Sequence, residues 1–69
     1  MIKNNIKLLR KKRKISQKDL ANALNVTRQT IVAVENNYYY PSLELSLKLA
    51  KYFNEPVEAI FTLHENNTD

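Results

Sequence analysis

The segment 16–37, with the sequence SQKDLANALNVTRQTIVAVENN, constrains the fold of this chain more than any other segment. Ser16 precedes an acidic residue, Asp19, by three positions, as in the capping box that opens many helices. The apolar residues that follow repeat at helical spacing and are Leu20, Ala21 and Leu24. The pattern predicts a helix of about two turns.

A turn and a second helix are predicted directly after the first. Asn25 tolerates the left-handed backbone that a tight turn requires, and Val26 is expected to fill the corner. Thr27 is a suitable N-cap for the second helix, whose inner face carries Ile31 and Val34. The segment is therefore expected to form a helix, a turn and a helix.

The outer face of the second helix is polar at its N-terminal end. Away from the inner apolar residues lie Arg28, Gln29, Thr30 and Ala33. In the major groove of DNA, arginine pairs with guanine and glutamine with adenine, and the methyl groups of threonine and alanine contact that of thymine. A helix N-terminus also favours phosphate. The alternative for such a short polar sequence is an ordinary solvent-exposed face, and the wider context decides between them.

Segment 16–37, together with the Pro-Ser-Leu sequence at 41–43, resembles the Cro/repressor-type helix-turn-helix family, also called the xenobiotic-response-element (XRE) family. The resemblance extends from about Asn5 to Phe61. It is closest to very small members of the family, which add short strands at the chain ends and act as dimers. It implies an all-α fold, a five-helix lambda-repressor-like DNA-binding domain that can carry a short terminal antiparallel β-ribbon. We expect residues 1–69 to form this single domain.

The resemblance also implies which residues contact DNA. The family residue at the position of Gln17 bonds a phosphate and braces the second helix of the motif, called the recognition helix. The family residues that match 27–30 and Ala33 face the operator. Position 33 often carries a longer polar residue, so base reading there is expected to be apolar or absent. The predicted DNA-binding residues are Gln17, Thr27, Arg28, Gln29, Thr30, Ala33, Asn37 and Tyr39.

Asn37 and the tyrosines after it follow the recognition helix. The family usually has glycine at the position of Asn37, and asparagine is the next-best residue for a left-handed site after a helix. Because the chain has no glycine, asparagines are expected wherever the backbone needs positive φ. Among Tyr38, Tyr39 and Tyr40, hydroxyl groups can bond phosphates while the rings cover the loop. We choose Tyr39 for the phosphate contact and expect at least one of the three to be structural.

Basic residues are concentrated near the N-terminus, where residues 1–18 carry a charge of +8 and residues 19–69 a charge of −4. Such a cluster is either a solvated helix surface or a patch that attracts the DNA backbone without reading sequence. The family residue matching Arg10 pairs with the acid matching Glu35. That pair would tie the first helix to the end of the recognition helix, and two exposed charges are the alternative.

One further helix is predicted before the motif. Asn4 or Asn5 can cap it, and it runs through about Arg13. Its apolar face consists of Ile6 and Leu9, with Leu8 as a further candidate. The helix therefore carries five of the eight basic residues of segment 1–18.

Residues 42–53 are the most ambiguous, because leucines alternate with polar residues as in a half-buried strand. The helix-forming residue types and the Pro-Ser start signal favour a helix instead. Helical spacing then places on the core face Leu43, Leu47, Ala50 and Phe53. Leu45 is left over and is expected to be partly exposed or to contact a partner.

Pro56 is expected to be the first residue of a last short helix, which is unusually rich in apolar residues. The candidate homodimer surface consists of Val57, Ile60, Phe61 and Leu63. A symmetric pair would place two recognition helices about 34 Å apart on a palindromic site. Residues 62–64 are expected to form a strand against Ile2 or a partner chain, and residues 65–69 to fray.

Composition argues against several classes of function. The chain has no cysteine and a single histidine, His64, so it offers no transition-metal site and no set of catalytic residues. We therefore predict no enzyme activity and no cofactor. No segment approaches the ~18 apolar residues of a membrane span, and a cytoplasmic protein is expected. A chain of 69 residues is also marginally stable alone, which favours a dimer.

Three hypotheses from different classes follow. The first is a sequence-specific DNA-binding transcriptional regulator, a repressor, that acts as a homodimer on a palindromic operator. The second is an antitoxin-type or other protein-binding module whose DNA binding is autoregulatory. The third is an enzyme or a membrane-surface protein that uses the basic N-terminus. No helix places large apolar residues opposite its lysines, which argues against membrane-surface binding.

Overall fold

The structure, a computed structural model, describes residues 1–64. In chain order, the elements of this range are β1 (Ile2–Asn4), α1 (Ile6–Lys12), α2 (Gln17–Leu24), α3 (Arg28–Glu35), α4 (Leu43–Phe53), α5 (Val57–Ile60) and β2 (Phe61–Leu63). The predicted five helices and terminal ribbon are thus confirmed. The fraying expected for residues 65–69 lies outside the described residues. No helix within residues 1–64 has the length and apolar character needed to cross a membrane.

The two strands form an antiparallel ribbon that joins the two ends of the described chain. Ile2 lies opposite Leu63, and Asn4 lies opposite Phe61. The predicted pairing of a C-terminal strand with Ile2 is confirmed, although that strand begins one residue earlier than the expected 62–64. The ribbon places β1 directly beside the segment that follows α5.

Side-chain caps determine where the motif helices begin. The hydroxyl of Ser16 accepts a hydrogen bond from the backbone N–H of Asp19 at 2.9 Å, and the Asp19 carboxylate accepts from the N–H of Ser16 at 3.3 Å. Asn25 ends α2 with a φ of 58°, in the left-handed region. The hydroxyl of Thr27 accepts from the N–H of Thr30 at 3.1 Å at the start of α3. The predicted helix, turn and helix are confirmed together with their caps.

Positive φ occurs within residues 1–64 at Lys14, Asn25, Asn37 and Asn54. The three asparagines agree with the expectation for a chain without glycine, but Lys14 does not. The N–H of Ile15 bonds the carbonyl of Arg10 at 3.2 Å, which closes the end of α1 and requires a left-handed residue between them. A side chain with a Cβ makes this conformation costly, by roughly 1–2 kcal/mol.

All five helices contribute to one apolar core. Its buried residues are Ile6, Leu20, Ala21, Leu24, Ile31, Val34, Leu45, Leu49, Phe53 and Ile60. Ile31 and Val34, the predicted inner face of α3, are each 1% exposed. Val26 packs against this core at the turn, as predicted. The recognition helix is therefore anchored along one side.

The predicted core face of α4 was wrong in part. Phe53 is buried as expected, but Leu45 is only 6% exposed, and Leu49 is fully buried. Leu43 and Leu47, assigned to the core, are 74% and 54% exposed. Because α4 carries leucines at helical spacing on two faces, periodicity alone does not determine which face is buried.

The end of the described chain corrects two further expectations. Pro56 is the residue before α5 and not its first residue. Ile60 is fully buried in the core of its own chain, so it is not available for a dimer contact. Of the other residues assigned to the dimer surface, Val57 and Phe61 are half-buried and Leu63 is exposed.

Candidate functional site

The N-terminal end of α3 lies at the protein surface. Arg28 and Gln29 are exposed, as is the capping residue Thr27, whereas Thr30 and Ala33 are half-buried. These residues occupy the side of α3 opposite its core contacts. The outer face predicted from helical spacing is therefore the face that another molecule can reach.

Gln17, the first residue of α2, connects the two ends of α3. Its Nε2 donates a hydrogen bond to Oε1 of Glu35 at 3.1 Å, and its Oε1 accepts one from Nη2 of Arg28 at 3.2 Å. Because the amide nitrogen faces a carboxylate, the amide oxygen must face the guanidinium group. Gln17 thus braces α3 and limits the directions in which Arg28 can extend.

Arg10 and Glu35 form the ion pair that the family resemblance implies. Nε of Arg10 lies 2.7 Å from Oε2 of Glu35, and Nη2 lies 3.3 Å from Oε1. The side chains are 11% and 4% exposed, and Nη1 of Arg10 also donates to the carbonyl of Ile15 at 3.0 Å. The structure therefore has the buried, two-bond pair and not two solvated charges. This pair holds α1 against the C-terminal end of the recognition helix.

Thr27 and Thr30 interact with each other at the start of α3. Their hydroxyl oxygens are 2.9 Å apart, in addition to the capping bond between the Thr27 hydroxyl and the Thr30 N–H. Since the hydroxyls already have partners, the methyl groups are the better candidates for contact with a thymine methyl.

Asn37 closes the recognition helix. Its φ of 59° confirms the predicted left-handed site, and the N–H of the next residue, Tyr38, bonds the carbonyl of Ala33 at 2.8 Å. The side-chain oxygen of Asn37 accepts a hydrogen bond from Nδ2 of Asn4 at 3.1 Å. Its side chain is therefore held in one orientation at the surface.

The tyrosine loop after α3 differs along its length. Tyr38 is 79% exposed, whereas Tyr39 is 44% exposed and lines a cleft with Thr30 and Ser42, next to the start of α4. Tyr39 is thus the tyrosine that lies beside a predicted base-reading residue. Its placement agrees with the choice of Tyr39, and the phosphate contact remains a prediction.

The sequence presented residues 1–18 as one basic cluster, but the basic residues of this segment occupy different environments in the structure. Arg10 is buried, and Arg13 donates to the carbonyl oxygens of Tyr52 and Phe53 at 3.0 Å and 2.7 Å. The Arg13 guanidinium also lies over both rings, at 5.7 Å and 5.3 Å from their centres. The exposed cations of the segment include its six lysines, Lys3, Lys7, Lys11, Lys12, Lys14 and Lys18. These lysines, and not the arginines, are the candidates for attracting phosphate.

Two long-range contacts, one at the end of α3 and one at the end of α4, were not predicted from the sequence. Arg13 caps the C-terminal end of α4, and Nδ2 of Asn4 donates to the carbonyl of Val34 in α3 at 2.9 Å. Both partners lie 30 or more positions away in sequence. Helical periodicity reports only neighbours along one helix, so it could not reveal either contact.

Within residues 1–64, no group of three or more histidine, cysteine or acidic side chains is placed to hold a metal ion. His64 is exposed at the end of β2, where its backbone pairs with that of Met1.

Comparison with known proteins relates the chain to helix-turn-helix regulators. A helix-turn-helix family model (HTH_3) matches residues 6–60. An HTH-type transcriptional regulator of Bacillus subtilis is 44% identical over 66 residues, which is 96% of this chain and all of that protein. Another, from Methanocaldococcus jannaschii, is 43% identical over 65 residues, covering 94% of this chain and 98% of that protein.

Two further proteins are similar at lower identity. The transcriptional repressor RstR of the cryptic phage CTXphi in Vibrio cholerae is 33% identical over 69 residues, which is all of this chain and 62% of the repressor. A crystal structure of a Bacteroides fragilis protein superimposes with a TM-score of 0.79 and covers 90% of this chain and all of that one. Because the two sequences are only 24% identical, this structural similarity supports the fold alone.

Proposed function

This chain belongs to the helix-turn-helix family of DNA-binding transcription regulators, and we propose that it represses transcription by binding a palindromic operator as a homodimer. One observation carries the proposal. Arg28 and Gln29 are exposed at the N-terminal end of α3, while Ile31 and Val34 hold the other side of that helix in the core. The helix can therefore enter the major groove as a rigid element. Action on DNA is also the basis on which we propose a cytoplasmic location.

We assign base reading to the start of the recognition helix and phosphate binding to its surroundings. Arg28 is suited to guanine and Gln29 to adenine, and the methyl groups of Thr30 and Ala33 are suited to thymine. The proposed phosphate contacts come from Gln17, Asn37 and Tyr39, near the two ends of α3. Repression, as opposed to activation, is supported by the similarity to the phage repressor from Vibrio cholerae.

We place the homodimer contact on the C-terminal surface formed by Val57, Phe61 and Leu63, without Ile60. Leu63 is the exposed member, and it lies in β2 beside the half-buried Ile2. A small domain buries a limited fraction of its apolar surface by itself, so a partner stabilises it. A two-fold axis at this surface would set the two recognition helices about 34 Å apart.

Footprinting on the DNA upstream of the chain's own gene tests the DNA-binding proposal. We expect one protected site with two-fold sequence symmetry. Arg28→Ala should then weaken binding to that site by about 1–3 kcal/mol while affecting a random duplex less.

Lys18→Ala is the matched control, because it also removes one exposed cation near the start of the motif. It should weaken binding to both duplexes alike, since a phosphate contact does not read sequence. An equal loss on both duplexes for Arg28→Ala would contradict its role in base reading.

Sedimentation equilibrium tests the dimer surface. Leu63→Ser should shift the protein towards monomer, whereas Leu47→Ser, which replaces another exposed leucine, one on α4, should leave the dimer unchanged. A shift to monomer for Leu47→Ser but not for Leu63→Ser would assign the dimer contact to the exposed face of α4 instead.

The exposed face of α4 favours a second candidate function, a protein-binding module with autoregulatory DNA binding, as in antitoxins. Leu43 and Leu47 are four positions apart and both exposed, so they form an apolar strip on one side of the helix. A small toxic enzyme encoded by the neighbouring gene, with binding abolished by Leu43→Ser, would support this candidate. Full repression from the operator without any protein partner would favour the homodimeric repressor.

A further inference from the structure

Asn4 joins the terminal ribbon to the end of the recognition helix. Its Nδ2 donates to the carbonyl of Val34 at 2.9 Å and to the side-chain oxygen of Asn37 at 3.1 Å, with the carbonyl of Glu35 at 3.5 Å. Asn4 is half-buried between these elements. The ribbon is therefore bonded directly to the last turn of α3 and to Asn37 just after it.

These hydrogen bonds determine the orientation of two amide groups. Oδ1 of Asn4 accepts from the backbone N–H of Ile6 at 3.1 Å, so its nitrogen must face Val34 and Asn37. A flipped Asn4 amide would place its oxygen against the Val34 carbonyl oxygen. Asn37 in turn must direct its oxygen to Asn4. Its Nδ2, which has no protein acceptor within residues 1–64, is left as a donor that points away from Asn4.

The position of Asn37 suits that donor to a phosphate group. Asn37 is exposed and lies directly after the recognition helix, and its backbone is held in the left-handed region. Amide side chains near a recognition helix commonly donate to phosphate oxygens of the duplex. An amide that is already oriented loses less side-chain entropy on binding than a free one.

We propose that Asn4 is a positioning residue for DNA binding, which holds the Asn37 amide with its nitrogen outward so that it donates to a backbone phosphate. The inference rests on the proposed function of the chain. It gives β1 a second role besides its pairing with β2. Asn4 itself does not touch the DNA.

Asn5 provides a matched control for a test of this role. It is the adjacent residue of the same type, and its Nδ2 also makes a long-range hydrogen bond, to the carbonyl of Ala59 at 3.0 Å. Asn4→Ala should weaken operator binding about three- to tenfold, the effect of one lost hydrogen bond. Asn5→Ala should change operator binding by less than about twofold. Thermal unfolding of both variants shows that each is folded at the temperature of the titration.

A double-mutant cycle with Asn37→Gly tests whether Asn4 acts through Asn37. Glycine removes the amide while it retains the left-handed backbone. Asn37→Gly should weaken operator binding about as much as Asn4→Ala does, and Asn4→Ala should then add less than about twofold. A full additional loss in the Asn37→Gly background would overturn the inference, as would equal losses for Asn4→Ala and Asn5→Ala. Wild-type protein that prefers no duplex at low salt would instead overturn the proposed function, and this inference with it.

Discussion

The arginines and the lysines of residues 1–18 occupy different environments, although the sequence presents them as one basic cluster. Arg10 is buried beside Glu35, and Arg13, although exposed, donates to two carbonyl groups of α4. The six lysines are all exposed. A guanidinium group is planar, carries five donors and stacks on rings, so several fixed acceptors can satisfy it. An ammonium group is strongly hydrated and favours solvent.

The difference teaches that the net charge of residues 1–18 overstates the positive charge that is available to bind DNA. Arg10 is committed to Glu35, and Arg13 to the end of α4. Phosphate attraction is therefore expected to depend on the lysines, while stability depends on the arginines. Substitutions in each set can separate these two effects.

Arg10→Ala should have the largest effect on stability. It leaves the Glu35 carboxylate buried without its cation, which costs about 3–5 kcal/mol in the free energy of unfolding. Urea denaturation followed by circular dichroism measures this loss. Lys11→Ala, at the next position and exposed, should change stability by less than about 0.5 kcal/mol. A loss below about 1 kcal/mol for Arg10→Ala would mean that the pair behaves as a solvated one.

Arg13→Ala should destabilise the fold less, by about 1–2 kcal/mol, because its bonds to the last carbonyls of α4 are partly exposed. Arg13→Lys keeps the charge but removes the two-bond geometry. It should recover less than half of the loss in the same urea titration. Full recovery by lysine would show that charge near the helix end is sufficient.

The sequence predicted the α2 and α3 motif well because its pattern allowed only one buried side and one start for each helix. Polar residues on the outer face of α3 left Ile31 and Val34 as its only buried side, and the capping residues marked both helix starts. In α4, leucines on two faces left the buried side open, and the choice of Leu43 and Leu47 was wrong. Tertiary packing resolved what periodicity could not.

The candidate site shows the same limit. Exposure of Arg28 and Gln29 followed from helical spacing, whereas the contact of Asn4 with the end of α3 joins residues far apart in the chain. Such contacts depend on how whole elements pack. The site's outer face was therefore predictable, and part of the framework that orients it was not.

Lys14 is the lysine that departs from the comparison, because its backbone and not its charge contributes to the fold. With a φ of 57°, it occupies a conformation that glycine adopts without cost. Lys14→Gly should raise the free energy of unfolding by about 1 kcal/mol. Lys14→Ala removes the same charge without relieving the strain, so it should give no such gain. Equal stabilisation by both substitutions would assign the effect to repulsion between the charge of Lys14 and the basic residues of α1.

Lys12→Ala should have the smallest effect on stability, less than about 0.5 kcal/mol, and should act on DNA binding instead. If this exposed lysine contacts a phosphate, its loss weakens binding to specific and random duplexes alike and lowers the salt dependence by about 0.9 in log K against log salt. Lys51→Ala is the control, since it also removes an exposed cation, one outside residues 1–18, and should leave the salt dependence unchanged. Equal changes for the two would show that total charge, and not the location of the lysines, attracts the duplex. The division between arginines and lysines would then hold for stability alone.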